Sequence, residues 1–148
     1  MSNTAGSILR QKGHQVWSVS PDESVFQAIS LMADKGIGAL MVIAADETLV
    51  GIISERDYAR KVVLQGKSSK DTRVRNIMTS PVITVEPEHT VDDCMRLVTS
   101  ERIRHLPVVQ GGKVIGVVSI GDLVRNVIST QRETIHYLQQ YIVGSPSL

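Results

Sequence analysis

Aromatic side chains are scarce in this chain, with one Trp, one Phe and three Tyr, and there is a single cysteine, Cys94. One thiol excludes an intrachain disulfide and any cysteine-cluster metal site. Long apolar runs are missing too. Nothing approaches the ~20 apolar residues of a bilayer span, and no N-terminal stretch has the apolar core of a secretory signal. A reducing cytoplasm is the expected location. Excess charge is also absent: a formal net charge of +1 supplies no field to draw the chain to nucleic acid or to an anionic membrane. His14, His89 and His136 have no partners at ligand spacing, so no metal is expected.

Ala, Val, Ile and Leu are left to do the packing, and 148 residues suit one compact domain or two small, closely packed halves. The chain holds one stretch twice: Gly51-Ile52-Ile53-Ser54-Glu55-Arg56-Asp57 and Gly116-Val117-Val118-Ser119-Ile120-Gly121-Asp122. Each copy reads as a buried strand that ends at a serine and passes directly into a helix. Such a junction aims a hydroxyl and unpaired backbone N–H groups at one spot, a place for an anion. Ser-x-x-Asp is equally a capping box that needs no ligand, with Ser54 or Ser119 as the N-cap. The motif fits both readings.

The surroundings repeat as well. A short strand over 16–19 is followed by Pro21 and by a helical face of Val25, Ala28, Ile29 and Met32, capped by Ser24 and stopped by Gly36. Strands over 40–43 and 49–53 form a hairpin, and a helix runs over 57–64. In the second half, residues 82–85, Pro87 and the face of Val91, Cys94, Met95 and Val98 repeat the pattern, and residues 106–109 answer the second strand. Cys94 and Met95 belong to this apolar face, so core packing is expected of them. The offset is 66 residues early (16 to 82) and 65 at the glycine (51 to 116).

This is an internal duplication of a β-α-β-β-α unit. The expected fold class is mixed α/β, with two repeats packed sheet to sheet about a pseudo-twofold axis. The repeats are bounded at 8–66 and 81–130, with a linker over 67–80, a polar and flexible stretch over 66–72 and a helical tail over 131–148. A short helix over 7–12 should stop at Gly13, with residues 1–6 and those beyond Gly144 frayed. The stripe of Ile128, Ile135, Leu138 and Ile142 either packs back on the chain or meets another subunit.

The repeat resembles the cystathionine-β-synthase (CBS) domain, and two in tandem resemble a Bateman module. The resemblance rests on Val-x-Ser/Thr-Val before a proline, on Thr90-Val91, on the run Arg104-His105-Leu106-Pro107-Val108-Val109, and on both Gly-x-x-Ser-x-x-Asp stretches. It covers roughly residues 8–130 and is closest to the stand-alone members. It implies that adenine nucleotides (AMP, ADP, ATP, sometimes NAD(H) or S-adenosylmethionine) bind in two clefts between the repeats. Asp57 and Asp122 would take the ribose, because a carboxylate accepts two hydrogen bonds from a cis-diol, with Ser54 and Ser119 near ribose and phosphate. Arg104 and His105, which stand where the first repeat has Gly38-Ala39, would face phosphate, with a solvated surface pair as the alternative; Arg56, a further candidate nucleotide contact, has Gly121 as its counterpart.

Ser18 and Thr84 are candidates to touch ribose or base, and Val16, Ile37, Val82 and Ile103 to wall the adenine; ordinary strand or core positions are the alternative for these six. The uneven cations imply unequal sites. The function implied is a regulatory, non-catalytic nucleotide sensor, a homodimer that signals to an unknown downstream protein by changing shape. A structural dimerisation module with vestigial clefts is the alternative.

Overall fold

The computed structural model describes residues 3–144, apart from the side chains of residue 137 and of residues 141–144. Helix α1 spans Ala5–Lys12, strand β1 Ser18–Val19, α2 Val25–Lys35, β2 Ala39–Ile43, β3 Leu49–Ser54 and α3 Glu55–Tyr58. Then come α4 over Val91–Ser100, β4 over His105–Gln110, β5 over Lys113–Ser119 and α5 over Ile120–Gly144. Side-chain caps start the helices as the sequence implies. Ser24 accepts from Gln27 N at α2, and Thr90 and Asp93 close a reciprocal box at α4. Gly36, at φ 65°, ends α2 in the left-handed conformation that glycine adopts without strain.

The architecture is the expected mixed α/β, with two small sheets. In the first, β1 pairs parallel to β2 (Ser18↔Met41) and β2 antiparallel to β3 (Leu40↔Ile53). The second holds only β4 and β5, paired antiparallel (Leu106↔Val118). The strand expected over 82–85 is reduced to one parallel bridge, Val85↔Val108. Proline explains the difference. In the first half Met41 N–H donates to the Trp17 carbonyl at 3.1 Å. The position that repeats Met41 is Pro107, which has no N–H to donate. The two bonds that follow that gap survive, from Val85 N to Pro107 O (3.0 Å) and from Val109 N to Val85 O (2.8 Å).

Each half borrows the segment that precedes the other. Residues 3–6, expected to fray, are anchored instead. Thr4 caps α1. Ala5 N–H donates to His89 O, Gly6 N–H to Pro87 O, and Val91 N–H to Asn3 O. Ala5, Ile8 and Leu9 then join Val85, Cys94, Leu106, Val118 and Leu123 in the second core. Leu9 lies so tightly on Gly116 that a Cβ there would sit 2.6 Å from its Cδ2.

The first half is covered likewise by residues 74–79. Val74 and Ile77 are buried with Val25, Leu40 and Ile53, Met78 lies on Gly51, and Thr79 bridges Ile52. The stretch read as a flexible linker is also tied down before this point. Ser69 and Thr72 carbonyls accept from Phe26 N and Val25 N, amides that no turn of α2 can satisfy.

Two further departures are local. The helix expected over 57–64 is one α-turn followed by a π-helical turn, Ala59–Val63. Within it Val62 is buried. The last helix does continue into the tail, and Ile120, Val124, Ile128, Ile135 and Leu138 lie exposed along it; the Ile142 side chain falls outside the described residues, as does everything beyond Gly144. Cys94 is buried, and burial pushes its thiol up to about 11, which fits a packing role.

Candidate functional site

Both Ser-x-x-Asp motifs form the capping boxes that their sequence allows. At the first, Asp57 N–H donates to Ser54 Oγ (3.2 Å), and Asp57 Oδ2 accepts from Ser54 N (3.0 Å) and Oγ (3.1 Å). Lys61 Nζ lies 3.1 Å from Asp57 Oδ1, and Thr79 Oγ1 donates to the same oxygen at 3.3 Å. Capping uses mainly one carboxylate oxygen. The other holds Lys61 and Thr79, and Asp57, Lys61 and Thr79 all line a cleft of about 660 Å³ between the halves.

That cleft gathers six of the sequence-derived candidates: Ser54, Arg56 and Asp57 from the first half, and Ile103, Arg104 and His105 from the second. Arg60, Lys61 and Arg102 line it too, with Glu55 and Glu101 as the other acidic groups. Five Arg and Lys side chains thus face three carboxylates. The balance favours an anion, and closely spaced cations in a recess hold one more strongly than the same charges on an open surface.

The second motif is differently placed. Asp122 N–H donates to Ser119 Oγ (3.1 Å) and Asp122 Oδ2 accepts from Ser119 N (2.8 Å). The carboxylate also receives Lys12 Nζ from α1 on Oδ2 at 2.7 Å and Arg125 on Oδ1 at 2.6 Å. Burial works against its charge, yet Lys12 and Ser119 together hold the carboxyl below its usual range. Its contribution to stability is therefore full above the unfolded value of 3.8 and is lost as the pH falls through the folded one.

The other candidates are scattered. Val82 and Thr84 line a separate groove of about 880 Å³, with Ser20, Arg75, Leu49 and Val114, that neither aspartate reaches. Val16, Ser18 and Ile37 line neither cavity; Ile37 packs against the first core, and Ser18 pairs with Met41 in the sheet. Lys12, Thr79, Lys61, Arg60 and Arg102 were not singled out from sequence. The identity of Arg60 with Arg125 across the repeat is a signal for one of them. Lys12 has none, since it precedes the first matched strand at Val16 and meets Asp122 only through the fold.

His105 stands between the two motifs: it lines the first cleft and pairs with Ser119 in the sheet. Burial above all, then the Lys12 and Arg104 charges, push its imidazole below the usual value, while Asp122 pulls the other way. The fold thus prefers the neutral ring. The stability this preference supplies is complete above the unfolded value of 6.5 and declines as the pH falls from there towards the folded one. His105→Asn should flatten that decline in urea unfolding measured across the acid side of pH 6.5. An unchanged slope would contradict the assignment.

No group of His, Cys, Asp and Glu among the described residues is placed to hold a metal. No helix among them is long and apolar enough to cross a membrane.

Residues 8–64 and 74–129 each match the family described as CBS domain. The mitochondrial CBS domain-containing protein CBSX3 of Arabidopsis thaliana is 43% identical over 152 residues, spanning 97% of this chain and 73% of that protein. The crystal structure of CBS domain NE2398 aligns with a TM-score of 0.82 at 51% identity, over 86% of this chain and 99% of that one. The crystal structure of CBSX2 in complex with AMP aligns with a TM-score of 0.72 at 29% identity, over 87% and 98%. The resemblance drawn from the repeats is borne out.

Proposed function

The chain belongs to the CBS-domain family as a tandem pair, and from that premise we propose that it is a regulatory, non-catalytic module of the cytoplasm that binds an adenine nucleotide (AMP, ADP, ATP or NAD(H)) in the cleft at Asp57. The observation that carries this reading is the cleft itself: a largely buried carboxylate in a recess rich in Arg and Lys and lined by both halves. Asp57 Oδ1 accepts hydrogen bonds from the ribose cis-diol, displacing Lys61 towards the phosphates. Arg56, Arg104 and His105 take the phosphates, and Ile103 packs on the base. AMP bound to CBSX2 supports the ligand class.

Signalling follows from the same arrangement. A ligand held by residues of both halves binds one relative placement of them better than another, and shifts the population towards it. A separate protein reads that shift. The exposed stripe of α5, spaced by three, four and seven residues, suits a second copy of the chain, so we read the protein as a homodimer. The stripe also favours the second reading, a dimerisation module with unused clefts.

Calorimetric titration of nucleotide-stripped protein with AMP, ATP, NAD and NADH separates the two. Saturable binding by at least one supports the sensor. Silence from all four, with folded protein, leaves the dimerisation module.

A further inference from the structure

The two motifs are alike in sequence but not in company. Around Asp57 the charged partner, Lys61, lies on the same helical run four residues on. Around Asp122 it is Lys12, which comes from a helix 110 residues away and donates to both Asp122 Oδ2 (2.7 Å) and the Val117 carbonyl (2.9 Å). Lys12 is held there by its backbone. Helix α1 is fastened by Leu9 on Gly116 and by the bonds of Ala5 and Gly6 to the 87–89 turn. Two residues past its end, His14 Nδ1 lies 2.9 Å from the Ile115 carbonyl. The ammonium therefore sits where a ribose diol would approach Asp122.

The side chain is not locked in. It is 39% exposed, whereas that of Asp122 is 7% exposed. Its four-carbon stem can swing the ammonium outwards while α1 stays docked. Arg125 remains on the other carboxylate oxygen, so Asp122 stays charged and able to accept.

We propose that Lys12 is an internal occupant of the second motif, holding Asp122 so that a ligand enters there only if it carries an anionic group to take over the ammonium. This rests on the nucleotide reading above and adds a selection rule to it. A neutral nucleoside must break the Lys12–Asp122 pair and offers the ammonium nothing in return. A nucleoside phosphate breaks the same pair but re-pairs the ammonium through a charge-assisted bond. The second site therefore discriminates by ligand charge, and it fills after the first.

Site-resolved NMR titration with adenosine and AMP tests this, with the Ser119 and Gly121 amides reporting the second motif and the Ser54 and Arg56 amides the first. In the parent, AMP should bind at the second motif and adenosine far more weakly. Lys12→Met should tighten adenosine about tenfold there and change AMP much less, because the pair that AMP breaks and the bond it gains are lost together, while Lys12→Arg should keep the parent's order. Neither change should alter the order at the first motif by more than about twofold. If Lys12→Met is poorly folded, Lys12→Gln serves the same comparison. An adenosine-to-AMP ratio at the second motif that does not respond to the loss of Lys12 overturns the proposal and leaves the first-cleft reading intact. Amides at both motifs that respond to neither ligand, nor to ATP, overturn that reading and the proposal with it.

Discussion

Asp57→Ala is expected to lower nucleotide affinity at the first cleft by ten- to a hundredfold, about 1.5 to 3 kcal/mol, read by calorimetry against the ligand that binds most tightly. The loss has a specific origin. A bound diol leaves its two hydroxyl donors without an acceptor once the carboxylate is gone, and in a recess they cannot be fully returned to water. The same substitution removes half of a capping box, so part of any effect could come from the fold. Asp57→Asn separates the contributions. Its amide oxygen still accepts from Ser54 N, and the melting temperature should stay close to the parent's, but the charge and one acceptor are lost and affinity should still fall. A 2′-deoxy nucleotide on the parent should lose affinity to a similar degree. If both Asp57 variants bind as the parent does, Asp57 is a cap and nothing more.

Leu9→Ala should be among the most destabilising single changes in the chain, costing about 2 to 5 kcal/mol. Leu9 is fully buried, and its branch sits on Gly116, where a smaller side chain leaves a cavity that a docked helix cannot close. By the scaling for domains of this size the melting temperature should fall by roughly 4 to 20 °C. A residue in a frayed terminal arm would move it hardly at all. Urea unfolding measures the difference directly. A change of less than about 0.5 kcal/mol would mean that α1 does not hold the second core together.

Most of the local structure can be read from the chain because local rules decide it. The helical face of Val25, Ala28, Ile29 and Met32, the caps at Ser24 and Thr90, and the strand-to-helix passage at Ser54 depend on residues close in sequence. The duplication then gives the mixed α/β class, since each unit alone would leave a sheet face open. What local rules could not give was the exchange of leading segments. Thr4 to Gly6 look like a polar terminus because their partners, Pro87 and His89, lie more than eighty residues on. The run before Thr72 is polar for the same reason: its carbonyls answer α2 amides and its side chains need no core.

The missing strand near Val82 is a subtler case. Residues 82–85 have the right composition, and the fault lies in Pro107 on the partner strand, which a propensity reading of one strand does not consult.

The candidate site divides the same way. Ser54, Arg56 and Asp57, with Ile103, Arg104 and His105, meet at one cleft because each set sits on a hairpin end that the repeat defines. Lys12 enters the second motif from the segment before the first matched strand, and only the packing of α1 on β5 brings it there. The two aspartates, alike in motif, therefore differ in where their lysine comes from: Lys61 lies four residues on in the same helical run, whereas Lys12 is brought by a helix distant in sequence.

That inequivalence is the centre of the account, and the stoichiometry of nucleotide binding tests it most directly. Titration of the stripped protein with its tightest nucleotide should show a first step of one ligand per chain, lost in Asp57→Ala and retained in Asp122→Ala, with any second ligand binding more weakly. Two equal sites per chain, or a first step that survives Asp57→Ala and disappears in Asp122→Ala, would contradict it.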